Sequence, residues 1–379
     1  MVARRQINTR KLSMQVLEER TPLAGNIIAG LFGTYLQLNG DAADNQVEIT
    51  EPVPNQIQVT GLGTTTINGL PSQTFAAPLI EHVGLRTGPG HDSVYIKNLS
   101  LTDTPNGNLR VSTGSDDDQI KMKGVYTTRS IVLATGDHND EIHAVHSGTR
   151  GVWYTHAGDG HDVVEMEVVS ADTMQANMYD GNDSIGIKHA RIARDLKINT
   201  HTDNDRVRLQ KVGAGDNIYV TLGQGLDSAF LAQVSAGIDV GLDAGSENDH
   251  VTFYNVSARH DLFAKMGAGD DHLKMHTVKA GNHIHVNLSS GDDRASIFQA
   301  KAHDVYVDAG AGNDSLRMNY VSAVNDLHAR LGDGNDVLAI SNSSASNPFF
   351  NGGPGVDILY NLPNAFDEVL NSVNFELIL

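Results

Sequence analysis

Residues 310–318 read Gly-Ala-Gly-Asn-Asp-Ser-Leu-Arg-Met, and residues 332–340 read Gly-Asp-Gly-Asn-Asp-Val-Leu-Ala-Ile. In both stretches a Gly-x-Gly turn ends at an aspartate, and apolar side chains follow it two and four positions later. After one interval of 26 residues, this aspartate returns every 21 or 22 residues, at Asp92, Asp118, Asp140, Asp162, Asp183, Asp205, Asp227, Asp249, Asp271, Asp293, Asp314, Asp336 and Asp357. So constant a period is typical of a solenoid, in which each repeat forms one coil.

Each repeat contains two segments with the periodicity of a β-strand. Apolar residues alternate with polar ones directly after the aspartate, as at Val207 and Leu209. A second alternating segment, such as Ile218 to Leu222, runs into the next glycine turn. Alternation with period two indicates half-buried strands, and the repeat is too short to include a crossover helix. We therefore predict an all-β fold, a parallel β-helix with about 22 residues per coil and one Gly-x-Gly-x-Asp turn per coil.

A solenoid needs ends, because an interior coil buries its apolar faces only against its neighbours. We predict four segments: an export-type leader at 1–33, opening coils and a cap at 34–87, a β-helix of about 13 repeats at 88–361, and a C-terminal cap at 362–379. Within the second segment, Gly40 to Asn45 followed by Val47 and Ile49 has the pattern of a divergent first turn and strand.

Composition excludes several classes of protein. The chain has 379 residues, a formal net charge of −19 and no cysteine, so disulfides and thiolate metal sites are ruled out. The negative charge disfavours nucleic acid as a partner and favours cations. No apolar run approaches the roughly 18 residues that a transmembrane helix needs, so we predict no transmembrane segment.

The turn carries the chemistry that the sequence predicts. Its best copies are Gly158-Asp159-Gly160-His161-Asp162, Gly267-Ala268-Gly269-Asp270-Asp271, Gly310-Ala311-Gly312-Asn313-Asp314, Gly332-Asp333-Gly334-Asn335-Asp336 and Gly352-Gly353-Pro354-Gly355-Val356-Asp357. These copies resemble the RTX, or hemolysin-type calcium-binding, repeat Gly-Gly-x-Gly-x-Asp-x-apolar-x, which Gly353, Gly355, Asp357 and Leu359 match.

In the RTX family, calcium lies between equivalent turns of successive coils and is bound by aspartate carboxylates and backbone carbonyls. The resemblance implies Ca²⁺ as the cofactor. The carboxylate ligands that it implies are Asp92, Asp140, Asp162, Asp183, Asp227, Asp271, Asp293, Asp314, Asp336 and Asp357. The glycines that it implies as carbonyl donors are Gly158, Gly160, Gly267, Gly269, Gly310, Gly312, Gly332, Gly334, Gly353 and Gly355.

The chain departs from the RTX pattern in two respects. RTX coils have 18 residues and carry the motif on both sides, whereas this coil has about 22 and carries it on one, so calcium would line a single edge. At seven positions another residue also replaces the glycine, and those turns are expected to bind calcium poorly. The replacements are Tyr179, His201 and Ser289 at the first glycine, and Asp116, His138, Asp203 and Glu247 at the second.

A purely structural turn is the competing interpretation, because aspartate after glycine is an ordinary turn former. Electrostatics argues against it. Aspartates stacked about 4.8 Å apart repel each other by nearly 1 kcal/mol even at the dielectric constant of water, and asparagine would form the same turn without that cost. A column of aspartates therefore favours a divalent cation with oxygen ligands.

The N-terminus carries a second resemblance. Basic residues at Arg4, Arg5, Arg10 and Lys11 precede Leu17-Glu18-Glu19-Arg20 and the small residues after it. This segment is similar to the Leu-Glu-x-Arg leader of many predicted exported proteins of planctomycetes. It lacks the apolar core of an ordinary signal peptide. Together with the calcium turns, it favours export to the extracellular space or the cell surface.

The predicted function is a secreted or cell-surface calcium-binding β-helix with a structural or adhesive role. Its expected partners are calcium ions and surface polysaccharide or other cell-envelope components. The alternative is a polysaccharide-active enzyme, a lyase, hydrolase or epimerase, since such enzymes also use this fold. We predict no catalytic residues, because the outward column three positions after the aspartate contains no pair of acids on adjacent coils.

Overall fold

The computed structural model describes residues 25–76, 79–362 and 372–379. Their regular structure consists of β-strands, most of which pair in parallel with the equivalent strand one coil away. The prediction of an all-β parallel solenoid with about 22 residues per coil is confirmed. The described segments include no helix that could cross a membrane. The predicted leader motif, at 17–20, lies outside the described residues.

The first six strands close the N-terminal end of the solenoid. They are β1 Asn26–Phe32, β2 Tyr35–Asn39, β3 Gln46–Val53, β4 Gln56–Gly61, β5 Thr66–Ile67 and β6 Ser72–Ala76. Strand β1 pairs antiparallel with β2, and β4 pairs antiparallel with both β3 and β6. Their apolar side chains, such as Ile27 and Ile57, are fully buried and cover the interior of the first coil. The described fold thus includes residues 26–32 of the segment assigned to the leader.

The coils follow as two strands each, interrupted in some coils by a break. The first strands are β7 His82–Pro89, β8 Ser93–Leu101, β9 Asn108–Ser115, β10 Gln119–Thr127, β11 Ser130–Asp137, β12 Glu141–Thr149, β13 Val152–His156, β14 Val163–Ala171, β15 Thr173–Asn177, β16 Ser184–Lys188, β17 Arg191–Ile192, β18 Leu196–Thr202, β19 Arg206–Gln210, β20 Gly213–Ala214 and β21 Ile218–Gln224. The remaining strands are β22 Ser228–Ala236, β23 Val240–Ser246, β24 His250–Ala258, β25 Leu262–Ala268, β26 His272–Lys279, β27 His283–Ser290, β28 Arg294–Ala302, β29 Asp304–Ala311, β30 Ser315–Asn319, β31 Ser322–Ala323, β32 Asp326–Asp333, β33 Val337–Ser341, β34 Asn347–Asn351, β35 Ile358–Asn361, β36 Ser372–Val373 and β37 Leu377–Ile378.

Two parallel sheets run along the solenoid. We call sheet I the strands that follow the aspartate turns, such as β24, β26 and β28, and sheet II the strands that lead into them, such as β25, β27 and β29. The register places like positions over each other, for example Val251 beside Leu273 and Phe253 beside Met275. The inward rows of both sheets are buried and form one continuous apolar core, as the alternation predicts.

A second column of left-handed residues bends sheet I six positions after each aspartate from Asp92 to Asp336. Its φ angles lie between 48° and 67°, at Asn98, Gly124, His146, Val168, His189, Lys211, Gln233, Asn255, Thr277, Gln299, Tyr320 and Asn342. The bend explains why the third buried residue stands seven positions after the aspartate instead of six, as at Val256. The residue types share no turn chemistry, so no pattern in the sequence predicts this column.

At the C-terminal end, the last described residues extend both sheets. Strand β36 pairs parallel with β34, and β37 pairs parallel with β35. Phe375 between them packs against the core. Residues 363–371 of the predicted cap lie outside the described residues.

The left-handed column provides a test of the fold at Val168. A β-branched residue in this conformation carries about 1–2 kcal/mol of strain, whereas asparagine tolerates it. We expect Val168→Asn to raise the melting temperature by about 2 °C or more, measured by circular dichroism. The matched control is Val163→Asn on the extended part of the same strand, where no gain is expected. Equal destabilisation by both substitutions would contradict the strain at Val168.

Candidate functional site

Each turn requires glycine for two separate reasons. The ten glycines predicted as carbonyl donors, from Gly158 to Gly355, all have φ between 99° and 152°, which L side chains rarely adopt. A Cβ atom added to any of them would lie 1.5–2.3 Å from a backbone oxygen of the preceding coil. At Gly334, for example, that oxygen belongs to Gly312. Backbone carbonyls of the turns, including those of Gly310, Gly312 and Gly332, therefore point toward the next coil.

The seven residues that replace glycine keep the left-handed conformation. Their φ angles are between 72° and 82°, at Asp116, His138, Tyr179, His201, Asp203, Glu247 and Ser289. Non-glycine residues with positive φ carry strain that the surrounding structure must hold. These turns therefore preserve the path of the backbone, and the irregular motif does not interrupt the stack.

The aspartates of the turns form one continuous hydrogen-bonded ladder, which we call the aspartate ladder. The backbone N–H of each aspartate donates to Oδ1 of the aspartate on the following coil, at 2.7–2.9 Å. All ten aspartates predicted as ligands belong to it, and so do Asp118, Asp205 and Asp249. The structure therefore brings the predicted carboxylates into a single row along one edge.

Two residues that the predicted ligand set does not include terminate this ladder. At its start, the backbone N–H of Asn45 donates to Oδ1 of Asp92 at 2.7 Å, so Asn45 occupies the aspartate position of the divergent first turn. At its end, the backbone N–H of Asp357 donates to a carboxylate oxygen of Glu376. The turn pattern at Gly40 to Asn45 had marked the first of these positions. Glu376 lies outside the repeat and carried no signal in the sequence.

The second carboxylate oxygen of every ladder aspartate is buried and has no hydrogen-bond partner. These atoms are Oδ2 of Asp92, Asp118, Asp140, Asp162, Asp183, Asp205, Asp227, Asp249, Asp271, Asp293, Asp314, Asp336 and Asp357. The aspartates are at most 3% exposed, so solvent does not replace the missing donor. Buried polar atoms without a partner are rare in folded proteins. Thirteen of them in one row indicate a site for a cation or for protons.

Burial raises the pKa values of these carboxyl groups. Loss of water is the largest cause, and the backbone N–H donated by the neighbouring aspartate offsets only part of it. The pKa is raised to about 8 at Asp140, Asp183 and Asp249, which also face ionised aspartates on both adjacent coils. It is raised to about 6 at Asp271 and Asp314.

A second, exposed ladder runs beside the first, one residue earlier in most turns, and it is interrupted at Leu226, whose side chain cannot accept a hydrogen bond. Here the side chain accepts a hydrogen bond from the backbone N–H of the following coil, as in Asn313 N–H to Asp292 Oδ1 at 2.7 Å and Asn335 N–H to Asn313 Oδ1 at 2.9 Å. The acceptors include asparagine, aspartate and, at His161, an imidazole nitrogen. Hydrogen bonding between coils is therefore achieved without a carboxylate at many of these positions.

The donor set of the turns fits a hard cation. Calcium takes six to eight oxygen ligands, including carboxylates and backbone carbonyls. Among residues 25–76, 79–362 and 372–379, no three or more His, Cys, Asp or Glu side chains are grouped to hold a metal ion. A cation here would thus take carboxylate oxygens from two successive turns and its other ligands from backbone carbonyls. The ladder aspartates from Asp92 to Asp357 would provide the carboxylate oxygens, and the turn glycines would provide the backbone carbonyls.

Comparisons with known proteins give no relative from which the role of these turns could be transferred. The chain matches no protein-family model, no curated protein and no solved structure.

The raised pKa values predict how stability depends on pH when no metal is present. The unfolded carboxyls titrate near 3.8 and the folded ones at about 6 to about 8, so the folded protein binds more protons in between. The stabilisation that comes from these extra protons is complete below the pKa of the unfolded carboxyls. It is lost as the pH rises through the pKa values of the folded carboxyls. We expect the melting temperature in chelator to fall between pH 5 and pH 8, a range that follows from these shifts.

The matched controls for this pH scan are two sets of asparagine variants. Replacing Asp140, Asp183 and Asp249 together should flatten the profile, because three of the most shifted groups no longer titrate. Replacing Asp117 in the exposed ladder should leave it unchanged, because its charge is not among the causes of the raised pKa of Asp118 or Asp140. A metal-free melting temperature that rises from pH 5 to pH 8 would contradict the protonated ladder.

Proposed function

We propose that this protein is a calcium-binding β-solenoid of the extracellular space or the cell surface, where it has a structural or adhesive role. In this proposal Ca²⁺ lies between successive turns along the aspartate ladder. The bound ion would supply the positive charge that the row of buried carboxylates requires. A stack of 13 coils at about 4.8 Å gives a rod on the order of 60 Å long, which suits a spacer or a scaffold.

The observation that carries the proposal is the contrast between the two neighbouring ladders. Both accept backbone N–H groups from an adjacent coil, yet the exposed ladder uses Asn, Asp and His, whereas the buried ladder uses aspartate at all 13 regular turns. Burying an ionised carboxylate without a partner is costly, and an amide would avoid that cost. The preference for aspartate in the buried position therefore supports a role that needs its charge.

The location outside the cell rests on two supporting features. The Leu17 to Arg20 motif resembles an export leader, and calcium sites of modest affinity are filled where calcium is plentiful. The absence of cysteine agrees with a stack stabilised by bound ions in place of disulfides.

Calcium titration of the full chain after chelation is the direct test. We expect several calcium ions to bind per chain by calorimetry and elemental analysis, and the melting temperature at pH 8 to rise steeply with calcium. A ligand at 100 times its dissociation constant stabilises the folded state by about 2.7 kcal/mol per site. Magnesium should substitute poorly, because it demands a rigid octahedral site. Retention of no calcium, with the same melting temperature in chelator and in calcium, would refute the proposal.

Substitution of Asp271 separates a calcium ligand from a structural residue. Asp271→Asn keeps the Oδ1 acceptor that the backbone N–H of Asp249 uses, but it removes the buried charge. In chelator at pH 8 we expect the variant to melt higher than the parent by roughly 2 °C or more, because the ionised carboxylate there is unpaired. In calcium we expect the reverse, with a lower melting temperature and fewer bound ions.

The matched control is Asp270→Asn in the exposed ladder, one residue earlier. It removes the same charge and also keeps its Oδ1 acceptor, which the backbone N–H of Asp292 uses. Neither the sign reversal nor the loss of calcium should occur in this variant. If both substitutions shift the melting temperature equally, with and without calcium, the carboxylate of Asp271 is not a calcium ligand.

A further inference from the structure

A groove lies on the outer face of sheet II, away from the aspartate turns. It has a volume of about 390 Å³ and crosses strands β25, β27, β29 and β32. Its floor is the backbone at Ala264, Val286 and Val307, whose side chains point into the core. Because equivalent residues stack in register every coil, the groove runs along the solenoid axis for about 15 Å. We refer to it as the sheet II groove.

One wall of the groove is a row of rings. Phe263, His285 and Tyr306 stack on successive coils, with centroid separations of 5.7 Å and 5.1 Å and interplanar angles of 16° and 22°. His328 continues the row at 5.3 Å from Tyr306, with its ring turned by 78°. The Tyr306 hydroxyl donates to Asp326 at 3.0 Å, which fixes the ring at the corner of the coil. The result is a continuous wall of rings with largely apolar faces.

The opposite wall is polar and carries both donors and acceptors. It consists of Lys265, Asn287, Asp308 and Arg330, one from each coil, two positions after the rings. Lys265 is already paired with Asp243 at 3.0 Å. Asp308 and Arg330 face each other across the strands but form no ion pair in the described structure, so each has free hydrogen-bonding capacity.

Histidine in the row of rings adds further hydrogen-bond donors and acceptors to the groove. Burial, and then the nearby His283, lower the pKa of His285 and so favour its neutral imidazole. A neutral imidazole offers one donor and one acceptor. The groove thus combines an apolar wall with an amide, an imidazole, a carboxylate and a guanidinium in a periodic line.

These features select among possible occupants. A peptide would gain main-chain hydrogen bonds only at a sheet edge, and the floor of this groove lies inside a sheet whose strands are paired on both sides. The charges at the groove balance, because Lys265 is paired with Asp243 and Arg330 stands beside Asp308, so a strongly anionic polymer would gain no net attraction to a chain of net charge −19. A neutral sugar chain has apolar faces for the ring wall and hydroxyls that need both donors and acceptors. It also repeats along its length, as the groove does.

We infer that the sheet II groove binds a neutral polysaccharide chain, laid along the solenoid axis between the ring row and the polar row. This inference rests on the adhesive role proposed above and names the partner for it. The lining of the groove contains one carboxylate, Asp308, whereas glycoside hydrolysis uses a pair, so we expect binding without cleavage of the chain.

Calorimetric titration of the full-length protein with cellohexaose, mannohexaose and xylohexaose tests the inference, with hexagalacturonate as the acidic counterpart. We expect saturable binding of at least one neutral hexaose. Asn287→Ala and Tyr306→Ala should each weaken it by roughly tenfold or more. Asn287 is exposed and outside the ring row, so that variant should fold normally even if Tyr306→Ala perturbs the stack.

The control variant is His276→Ala in the ring row of sheet I. There Tyr254, His276 and Phe298 stack at 5.2 Å and 4.9 Å but line a different face, so neutral hexaose binding should not change. Absence of binding by every neutral hexaose, preference for hexagalacturonate, release of shorter products, or unchanged binding by both groove variants would each overturn the inference.

Calcium content, measured on the same samples, distinguishes failure of the groove proposal from failure of the calcium proposal. Calcium retained without binding of any hexaose rejects only the groove. Binding of a hexaose by protein that retains no calcium rejects only the metal sites.

Discussion

The hydrogen bond from each ladder aspartate to Oδ1 of the next is the interaction on which the rest of the structure depends. It fixes the distance and register between successive turns. The strands on either side of the turns pair in the same register, so that Val251 lies beside Leu273 and Ile284 beside Val305. The same geometry buries Oδ2 without a donor in every coil. The ladder is therefore stable only if protons or cations compensate a row of buried carboxylates.

The glycines allow this stacking, but they do not determine it alone. A Cβ atom at Gly158 would lie 1.6 Å from the carbonyl oxygen of Gly136, so a side chain cannot enter where two such turns meet closely. Nevertheless Tyr179 and His201 occupy first-glycine positions with φ near 78°. Their backbones reach the same left-handed region at some cost in strain, because neighbouring ladder bonds hold the turn in place. Glycine in this column is an energetic preference, and the ladder is the stronger constraint.

The sequence was sufficient for the period, the two strands and the inward rows, because each depends on a local pattern that returns every coil. It was not sufficient for the left-handed bend at Val168 or Tyr320, where the constraint comes from closing the coil and leaves no preferred residue type. The row of carboxylates followed from the spacing, but the burial of Asp271 and the acceptor role of Glu376 depend on contacts between coils. The sheet II groove was missed because histidine, tyrosine and phenylalanine at one outward position share no single chemistry.

The two walls of the sheet II groove are positioned by opposite corners of the coil. Lys265 and Arg330 stand two residues before Gly267 and Gly332, so the aspartate turns set the position of the polar wall. The ring wall lies nearer the other corner, where His283 bridges Asp261 at 2.9 Å and Asp304 at 3.3 Å, and where Tyr306 donates to Asp326. A cation in the aspartate ladder would therefore stiffen one wall of the groove and leave the other largely unaffected. Because the two walls of the groove are set by different corners, a cation in the aspartate ladder would change the fit of a ligand in the groove without touching it.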